Sequence, residues 1–553
     1  VPLRHAPGLS IQARTEPPAQ LGVFTDGDGM TAITRDTGDR EALAYLDQLT
    51  WALPYHLGTP ERVLILGAGG GSEVLQAVYH GAGHIDAVEL NPQMTRLLQQ
   101  DYADFAGHLY DRPGITVHLD EARGFVAGSR AQYDVIQMAM LDSFAAASAG
   151  LYALSENYLY TIEALQAYMR HLRPGGYLVM SRWIKLPPRD TLKLFAMAVE
   201  ALEGMGVAEP GEQLILIRGW QTSTLIMKNG SVTDAERKAL RDFCNARAFD
   251  VAWYPRMQAY EANRFNILRT PWFYRAATAL LGEQREAFID DYKFDLSPAT
   301  DDRPYFFKFF RWPVLPEILA LRGQGGMPLL EAGYLILVAT LLQALVISVV
   351  LILLPLGFLP RRDASTPGEV QRLPVLVYFG AIGLAFLFLE IAFIQKFILF
   401  LSHPLYAVAV VLCAFLVFAG LGSNFSTRLA AFRGRRVAAR LAVLAIVLLG
   451  VLYAVLLDEL FLPLMPLHDA AKVVITILLI APLAFVMGMP FPLAMTEIGA
   501  RTAALIPWAW AINGCASVIS AVLATLLAIQ FGFTVVVILA LLLYGLAAAT
   551  FPR

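Results

Sequence analysis

The chain has 553 residues, a formal net charge of −3 and three cysteines. This length exceeds what one hydrophobic core organises, so two or more domains are expected. The near-neutral charge, without a basic stripe carrying interleaved aromatic residues, argues against a nucleic-acid partner. Only Cys244 lies in the more polar N-terminal half, which leaves that half without a disulfide or a cysteine-based zinc site.

Alternating strand and helix signals dominate the first 230 residues. Residues 1–55 predict a β-hairpin region, with strands at 21–24 and 31–34. Residues 56–230 predict a doubly wound α/β sheet of the class I methyltransferase-like (Rossmann-like) type. The predicted strands are 63–66, 85–89, 115–119, 135–138 and 177–180, followed by an antiparallel hairpin at 214–217 and 222–227. The helix before the fifth strand is expected to run to Leu172 and to stop at the Pro174-Gly175 turn.

The rest of the chain becomes steadily more apolar. Residues 231–326 predict a helical extension that contains the aromatic run 304–312, which we expect either at the membrane surface or packed on the membrane domain. Residues 327–553 predict an all-α membrane domain, because each spanning helix needs about 20 apolar residues. Seven candidate spans lie at about 332–357, 375–395, 404–424, 438–457, 471–489, 506–528 and 531–550. Pro490 and Pro492 predict a break at the end of the fifth span.

A glycine-rich loop, Gly67–Gly71, separates the first sheet strand from a helix that begins at Ser72. Glycines allow a tight turn and close ligand approach, and the helix N-terminus offers free N–H groups. Glu89 ends the second strand, where a carboxylate accepts ribose hydroxyls, and Asp120 ends the third, near an adenine. Because Ser72 breaks the dinucleotide glycine pattern, a sulfonium nucleoside is favoured over NAD. The predicted nucleoside-binding residues are Gly67, Gly69, Gly71, Glu89 and Asp120.

Several phrases of the sequence resemble spermidine synthases, the polyamine aminopropyltransferases. They are Asp28-Gly29-Met30-Thr31, residues 63–71, Val88-Glu89-Leu90-Asn91-Pro92, and Tyr133-Asp134-Val135-Ile136 followed by Asp142. Residues 300–307, 402–406 and 489–492 are similar to bacterial multi-span membrane proteins that carry a spermidine-synthase-like domain. The resemblance implies that S-adenosylmethionine or its decarboxylated form is the co-substrate, and that the chain is an integral protein of a bacterial inner membrane.

Two positions depart from the pattern of that family. The family has an acidic residue where this chain has Gly70, and a carboxylate base where this chain has Ala139. The resemblance leaves Asp142 as the first candidate for substrate contact or proton acceptance, and Asp47 as the second. Loss of the acid at position 70 relieves repulsion of a ligand carboxylate, so intact S-adenosylmethionine becomes a competing ligand.

Three functions remain open. They are aminopropyl transfer in polyamine metabolism, methyl transfer to a lipid or membrane-delivered substrate, and nucleoside binding in a transporter or sensor. The expected partners are a small amine or a lipid, together with the bilayer. No metal is predicted, because histidines do not stand at ligand spacing.

Arginines cluster at 361–372 and 428–436, and the positive-inside rule places both loops in the cytoplasm. With seven spans, the N-terminal domain would then lie on the opposite side of the membrane. S-adenosylmethionine is made in the cytoplasm, however, so we retain the expectation that the N-terminal domain is cytoplasmic.

Overall fold

The structure, a computed structural model, describes residues 3–25, 29–140, 157–321, 332–357, 372–401, 404–465 and 467–552. The chain divides into two compact units, Val1–Tyr334 and Leu335–Arg553. The division lies close to the predicted start of the membrane domain at residue 327. The finer partition into four domains stays a prediction.

The N-terminal unit is built on an eight-stranded sheet beside a separate two-stranded hairpin. The hairpin pairs β1 (Gln20–Thr25) with β2 (Gly29–Thr34). The sheet has the order β10-β8-β9-β7-β6-β3-β4-β5. Its strands are β3 (Arg62–Leu66), β4 (His84–Glu89), β5 (Ile115–Leu119), β6 (Tyr133–Met138), β7 (Leu172–Trp183), β8 (Leu214–Arg218), β9 (Thr222–Lys228) and β10 (Asp250–Trp253). Strands β3 to β7 are parallel and β7 to β10 are joined antiparallel. The predicted doubly wound fold with a terminal hairpin is confirmed, and β10 is an additional edge strand.

Helices cover both faces of this sheet. They are α1 (Pro54–Leu57), α2 (Ser72–Tyr79), α3 (Pro92–Arg96), α4 (Ala122–Gly128), α5 (Ile162–Arg170), α6 (Asp190–Gly204), α7 (Asp234–Arg247), α8 (Trp272–Leu281), α9 (Arg285–Asp291) and α10 (Leu315–Leu321). Successive strand residues point to opposite faces, so Val63 and Ile65 enter one hydrophobic cluster. Leu64 and Leu66 enter the other. A strand buried on both faces explains why residues 63–66 are uniformly apolar.

The Pro174-Gly175 turn lies inside β7 and does not end a helix. Helix α5 stops at Arg170, and β7 begins at Leu172. Tyr133 pairs with Leu172 while Val135 pairs with Tyr177, so residues 173–176 form an irregularity in the ladder. Gly175 adopts φ +84° there, and its N–H donates to the Asn229 carbonyl at 2.7 Å. The predicted helix end at Leu172 is therefore wrong, because strand pairing on both sides of the turn captures this segment.

The aromatic run near residue 306 packs into the core of the N-terminal unit. Phe306, Phe307 and Phe309 are buried in the same cluster as Leu64 and Leu66. The expectation that the run lies at the membrane surface or on the membrane domain is wrong for these side chains. Apolar composition alone does not distinguish a sheet face from a bilayer, and here the sheet covers the rings.

An ion pair attaches the segment that precedes the aromatic run to α4 and to the start of α5. Arg123 on α4 donates to both carboxylate oxygens of Asp301, at 2.6 and 2.5 Å. The Thr161 hydroxyl donates to Asp301 at 2.7 Å. Arg123 is buried, so this bidentate contact is a fixed attachment between segments distant in sequence.

The C-terminal unit is entirely helical where the structure describes it. Its helices are α11 (Ala332–Ser348, continuing through a π-helical turn to Gly357), α12 (Arg372–Leu401), α13 (Pro404–Arg433), α14 (Arg435–Leu464), α15 (Asp469–Met487), α16 (Pro490–Arg501), α17 (Ile506–Phe531) and α18 (Phe533–Ala549). Among the described residues, six helices are long and apolar enough to cross a membrane, and α15 with α16 counts as one of them. The seventh predicted span, α18, is apolar but has 17 residues.

The predicted break near Pro490 is confirmed. Helix α15 ends at Met487, with Gly488 as its cap, and α16 begins at Pro490. Helices α13 and α15 also pack very closely, since a Cβ added at Gly422 would lie 1.7 Å from the Phe485 carbonyl oxygen. Small residues at such a crossing allow two membrane helices to bring their backbones into contact.

Candidate functional site

The loop between β3 and α2 owes its shape to glycines with positive φ. Gly67, Gly69 and Gly71 have φ values of +78°, +48° and +83°. Residues that carry a side chain rarely adopt positive φ, because their Cβ atom comes too close to the following carbonyl oxygen. The N–H groups of Gly67 and Ala68 both donate to the Val88 carbonyl, at 2.9 and 3.0 Å. The loop is therefore fixed over the end of β4.

Glu89 at the end of β4 is oriented by two backbone donors. Its Oε2 accepts from the Gly69 N–H at 2.8 Å, and its Oε1 accepts from the Asn91 N–H at 2.8 Å. The residue is buried. Each carboxylate oxygen has a further lone pair, so the group is preorganised to accept two hydroxyl hydrogens from a ligand.

Two acidic residues follow β5. The Asp120 N–H donates to the Glu89 carbonyl at 3.2 Å, which places this residue beside the end of β4. One Asp120 carboxylate oxygen accepts from the Glu121 N–H at 2.8 Å. Glu121 caps α4 through the Gly124 N–H at 2.7 Å, and burial raises the pKa of its carboxyl group. Both carboxylates are thus positioned by backbone contacts at the carboxyl edge of the sheet.

These residues line one cavity of about 510 Å³. Gly67, Gly69, Glu89 and Asp120 meet there as the sequence predicts, together with the β2 residues Gly29 to Ala32. Gly71 does not line it. A Cβ on Gly71 would meet the Leu98 and Leu109 side chains, so its positive φ serves the turn into α2.

The hairpin explains why position 70 carries no side chain. The Gly70 N–H donates to the Thr31 hydroxyl at 2.9 Å. A Cβ at Gly70 would lie 2.4 Å from the Ala32 carbonyl oxygen and 2.8 Å from the Thr31 hydroxyl oxygen. Backbone of β2 therefore occupies the space that an acidic side chain would need, and Gly70 is a packing requirement as well as a lost charge.

The cavity is strongly acidic. Its titratable lining residues, within the described part of the chain, are His5, Glu73, Glu89, Asp120 and Glu121, without a lysine or an arginine. Burial lowers the pKa of His5, which keeps that imidazole neutral at neutral pH. The segments 26–28 and 141–156, which lie outside the described residues, contain no basic residue in their sequence. A cationic ligand is therefore the electrostatic complement of this cavity.

Glu73 is the functional candidate that sequence reasoning missed. It lies in the first turn of α2, directly after the glycine loop, and lines the cavity. Burial raises the pKa of its carboxyl group to about 7. Burial also raises the pKa of Tyr45 to about 12, and the charge of Glu73 adds to that shift. An acid in a first turn is ordinarily interpreted as complementing the helix dipole, so only the cavity reveals another role.

Of the two predicted catalytic aspartates, the structure describes only Asp47, and it lies away from the described cavity lining. It is paired with Arg247 and with His56, whose Nε2 lies 2.6 Å from Oδ1. Burial tends to raise the pKa of Asp47, but the His56 hydrogen bond and the Arg247 charge bring it below the usual value. Asp142 lies outside the described residues, and Ala139 lines the cavity with its N–H donating to the Leu66 carbonyl at 3.1 Å.

The Asp47 cluster has the composition of a metal site but already contains a cation. Oxygen and nitrogen atoms of Asp47, His56 and His80 lie within 4.8 Å of one another. The Arg247 guanidinium contacts the Asp47 carboxylate and lies 3.4 Å from His56 Nε2. Because a fixed guanidinium repels a metal ion, this arrangement favours a structural ion pair.

Comparison with known proteins identifies the family that this segment resembles. Residues 46–186 match the family described as "Spermine/spermidine synthase domain". A polyamine aminopropyltransferase of Nitrosomonas europaea is 23% identical over 217 residues, which are 39% of this chain and 62% of that protein. One from Pectobacterium carotovorum is 26% identical over 155 residues, 28% of this chain and 51% of that protein. The resemblance to spermidine synthases that the sequence motifs predict is confirmed.

The similarity covers parts of the proteins. The chain spans between 36% and 62% of the length of the polyamine aminopropyltransferases of Korarchaeum cryptofilum and Nitrosomonas europaea. Among solved structures, the spermidine synthase of Thermotoga maritima has 13% identity and a TM-score of 0.29, over 52% of this chain and 94% of that one.

Proposed function

We propose that the N-terminal unit binds decarboxylated S-adenosylmethionine and transfers its aminopropyl group to a small amine, as part of a membrane-integrated enzyme. The observation that carries this proposal is the charge of the cavity. Four carboxyl groups line it, and no described lysine or arginine does. The match of residues 46–186 to the spermine/spermidine synthase domain supports the same reaction class.

The charge distribution favours the decarboxylated nucleoside over the intact one. The decarboxylated form carries a sulfonium and an ammonium group, whereas the intact form adds a carboxylate. That carboxylate would meet Glu73 without a cationic side chain of the described lining to receive it. The N-terminus of α2 offers it favourable donors, but Glu73 lies in that same first turn. Glu73 thus offsets the acid that is missing at Gly70.

The nucleoside end of the ligand is assigned to the backbone-held acids. Glu89 would accept the ribose hydroxyls, since Gly69 and Asn91 already orient its two oxygens. Asp120 lies one strand further, where it would accept from an adenine amino group. Gly67 and Gly69 permit the close approach of the ligand to the loop. Gly71 supports this loop from behind.

The transfer step requires a free amine. Its lone pair attacks the carbon beside the sulfonium, a C–N bond forms, and the C–S bond breaks with its electron pair on sulfur. The products are the extended amine and methylthioadenosine. An amine with a pKa of about 10 must give up a proton, which a nearby carboxylate can accept. Asp142, the first candidate that the resemblance leaves, stays the candidate for this task, because Glu73 is assigned to the ammonium group of the nucleoside.

Methyl transfer from intact S-adenosylmethionine is the alternative that specific residues favour. Gly70 and Ala139 stand where the related synthases carry acidic residues, and Ala139 lines the cavity. The acceptor would be a lipid or another membrane-delivered molecule, consistent with six helices long enough to span a membrane. We place the nucleoside site in the cytoplasm, where both nucleosides are made.

Product identification separates these functions. Full-length protein in lipid nanodiscs is incubated with either nucleoside, together with polyamines or a lipid extract, and the nucleoside product is identified by mass spectrometry. Methylthioadenosine formed in step with an extended amine supports the proposal. S-adenosylhomocysteine with a methylated acceptor contradicts it in favour of methyl transfer. Nucleoside binding without either product contradicts both reactions and favours a transporter or sensor.

A further inference from the structure

A second cavity, of about 850 Å³, lies within the C-terminal unit where α13 meets α14. Its lining comes from the end of α13, the start of α14, helix α16 and the segment after α18. The charged residues that line it, within the described part of the chain, are Arg435, Arg436, Glu497 and Arg501. The described lining therefore contributes three guanidinium groups and one carboxylate, an excess of positive side chains.

Glu497 connects two of these arginines. Its Oε2 lies 3.0 Å from Arg435 Nη1, and its Oε1 lies 2.7 Å from Arg501 Nε. The Glu497 side chain is 13% exposed, whereas those of Arg435 and Arg501 are 39% and 48% exposed. Each guanidinium has five N–H donors, and the contact with Glu497 uses only part of that set. The carboxylate thereby orients both arginines, and its contacts with them occupy only part of their donors.

The beginning of α14 adds a second source of positive potential. This helix has 30 residues, and it starts directly after Gly434, which has φ +81°. Glycine has no side chain that could cap the first N–H groups. Residues 434 to 437 line the cavity, so the N-terminal end of the helix dipole lies at its wall. Free N–H groups beside arginine forks are the usual ligands of a phosphate group.

Part of the remaining wall is apolar, beside the hydroxyl side chains of Ser426, Thr427 and Thr496. Val437, Leu493 and Phe551 line it together with the arginines. The site is formed by the ends of membrane-length helices, and its volume exceeds that of a phosphate ion. A ligand with an anionic head and a hydrocarbon chain matches both parts of the wall, and basic pockets between membrane helices are suited to such lipids.

We propose that this cavity binds the phosphate group of an anionic phospholipid through Arg435, Arg436 and Arg501. The acyl chains extend past Leu493 and Phe551 toward the bilayer. This inference is independent of the reaction proposed for the N-terminal unit, because no residue is shared between the two cavities.

Lipid titration of the full-length protein in a neutral detergent tests the inference. Native mass spectrometry gives the dissociation constants of phosphatidylglycerol, phosphatidylcholine and inorganic phosphate. Phosphatidylglycerol is expected to bind at least about tenfold more tightly than the other two. The Arg501→Gln variant is expected to lose about tenfold in phosphatidylglycerol affinity, because it removes a charge-assisted phosphate contact. Arg440→Gln, an exposed position on α14 outside the cavity lining, is the matched control and should stay within about twofold of the native protein.

The outcomes separate the possible ligands. Equal affinity for the two phospholipids overturns the proposal, and so does an Arg501→Gln variant with native affinity. Inorganic phosphate that binds as tightly as phosphatidylglycerol would identify a site for a free anion and overturn the lipid assignment. Should Arg501→Gln fail to fold, Arg436→Gln repeats the test on a second lining arginine. The native protein must also lose phosphatidylglycerol affinity as salt increases, and constant affinity would contradict the charge-based contact.

Discussion

The cavity at the carboxyl ends of β3, β4 and β5 and the cavity beside Arg435 have opposite electrostatic character. The first is lined by four carboxyl groups without a described lysine or arginine. The second is lined by three arginines and one glutamate. The chain as a whole has a net charge of −3, so its overall composition describes neither cavity. Local charge, more than net charge, indicates which ligand each cavity accepts.

The carboxyl groups of the acidic cavity also differ from one another in their surroundings. Glu89 is oriented by two backbone N–H groups. Glu73 has a strongly raised pKa because burial is the dominant influence on it. Acids fixed by the backbone are suited to neutral hydroxyl and amino groups of a nucleoside. An acid held in a poorly solvated position is suited to a mobile cationic group, whose binding stabilises its ionised form. Five predictions test how these acids and the residues around them contribute to ligand binding.

The largest expected effect comes from restoring the acid that the related family carries at position 70. In Gly70→Asp the Cβ would lie 2.4 Å from the Ala32 carbonyl oxygen, so β2 must move away from the loop. We expect the affinity for methylthioadenosine to fall by about 100-fold or more, because the hairpin wall of the cavity is displaced. Isothermal titration calorimetry of the full-length protein measures this.

Two variants make the interpretation of Gly70→Asp specific. Gly70→Ala adds the same Cβ without a charge and should lose affinity similarly. In Gly83→Asp the nearest atom to the new Cβ is 3.5 Å away, so native affinity is expected. Improved binding of the decarboxylated nucleoside to Gly70→Asp would show that β2 yields and that charge alone governs this position.

The next largest effect is expected for Glu89→Gln. The amide nitrogen cannot accept a hydrogen bond, so either the Gly69 N–H or the Asn91 N–H loses its partner. Loss of a charge-assisted hydrogen bond amounts to about 1.5–3 kcal/mol, equivalent to about 10- to 100-fold weaker nucleoside binding. Methylthioadenosine titration measures it, with the exposed Glu283→Gln as the matched control. Unchanged affinity would contradict the assignment of Glu89 to the ribose.

Glu73→Gln should act on the amine end of the ligand alone. We expect about tenfold weaker binding of decarboxylated S-adenosylmethionine and unchanged binding of methylthioadenosine, which lacks the ammonium group. If methylthioadenosine fails to bind the native protein, the nucleoside site itself is wrong. If methylthioadenosine binds, but the native protein and Glu73→Gln have equal affinity for the decarboxylated nucleoside, only the role of Glu73 is wrong.

The pH dependence of that binding has a definite sign. Because burial raises the pKa of Glu73 to about 7, its carboxyl group ionises as pH rises through neutrality. The ligand amine stays protonated, since its pKa is about 10. Native affinity for the decarboxylated nucleoside should therefore rise between about pH 6 and pH 8, and the rise should be absent in Glu73→Gln. His5 and Glu121 also line the cavity and are the same in both proteins, so the difference between the two curves reports Glu73.

The smallest effect on ligand binding is expected for Asp47→Asn. Asp47 pairs with Arg247 and His56 away from the described cavity lining. Nucleoside affinity should stay within about twofold of the native value, while removal of one partner of this largely buried pair costs about 2 kcal/mol of stability. Calorimetric titration and pulse proteolysis of the full-length protein measure the two quantities. Native stability with lost turnover would restore Asp47 as a catalytic residue.

Sequence patterns located the sheet well and identified four residues that line one cavity, namely Gly67, Gly69, Glu89 and Asp120. Ile115–Leu119 has the predicted bounds, and the glycine loop lies between a strand and a helix as its residues require. These features depend on short segments in which strand alternation, glycine conformation and strand-end acids are all local. The meeting of the Gly67–Gly69 loop, Glu89 and Asp120 also follows, because neighbouring parallel strands end at one edge of a sheet.

Features that depend on distant partners were not predicted. Arg247 is 200 residues from Asp47, and the sequence offered no reason to pair them. The aromatic run near Phe306 was assigned to the membrane surface or the membrane domain, since burial against a sheet and against lipid require the same apolar composition. The role of Asp142 stays a prediction, because it lies outside the described residues.

The sequence by itself determined a doubly wound unit with a glycine loop, followed by membrane-length helices, because glycine loops, strand alternation and long apolar runs follow from local chemistry. Only the tertiary structure decided which carboxyl groups share a cavity and which carry an ion-pair partner. Proximity between Gly70 and Ala32, and between Arg435 and Glu497, depends on packing between distant segments. Glu73 shows the consequence, since its place in a first helical turn was visible in the sequence while its low solvation was not.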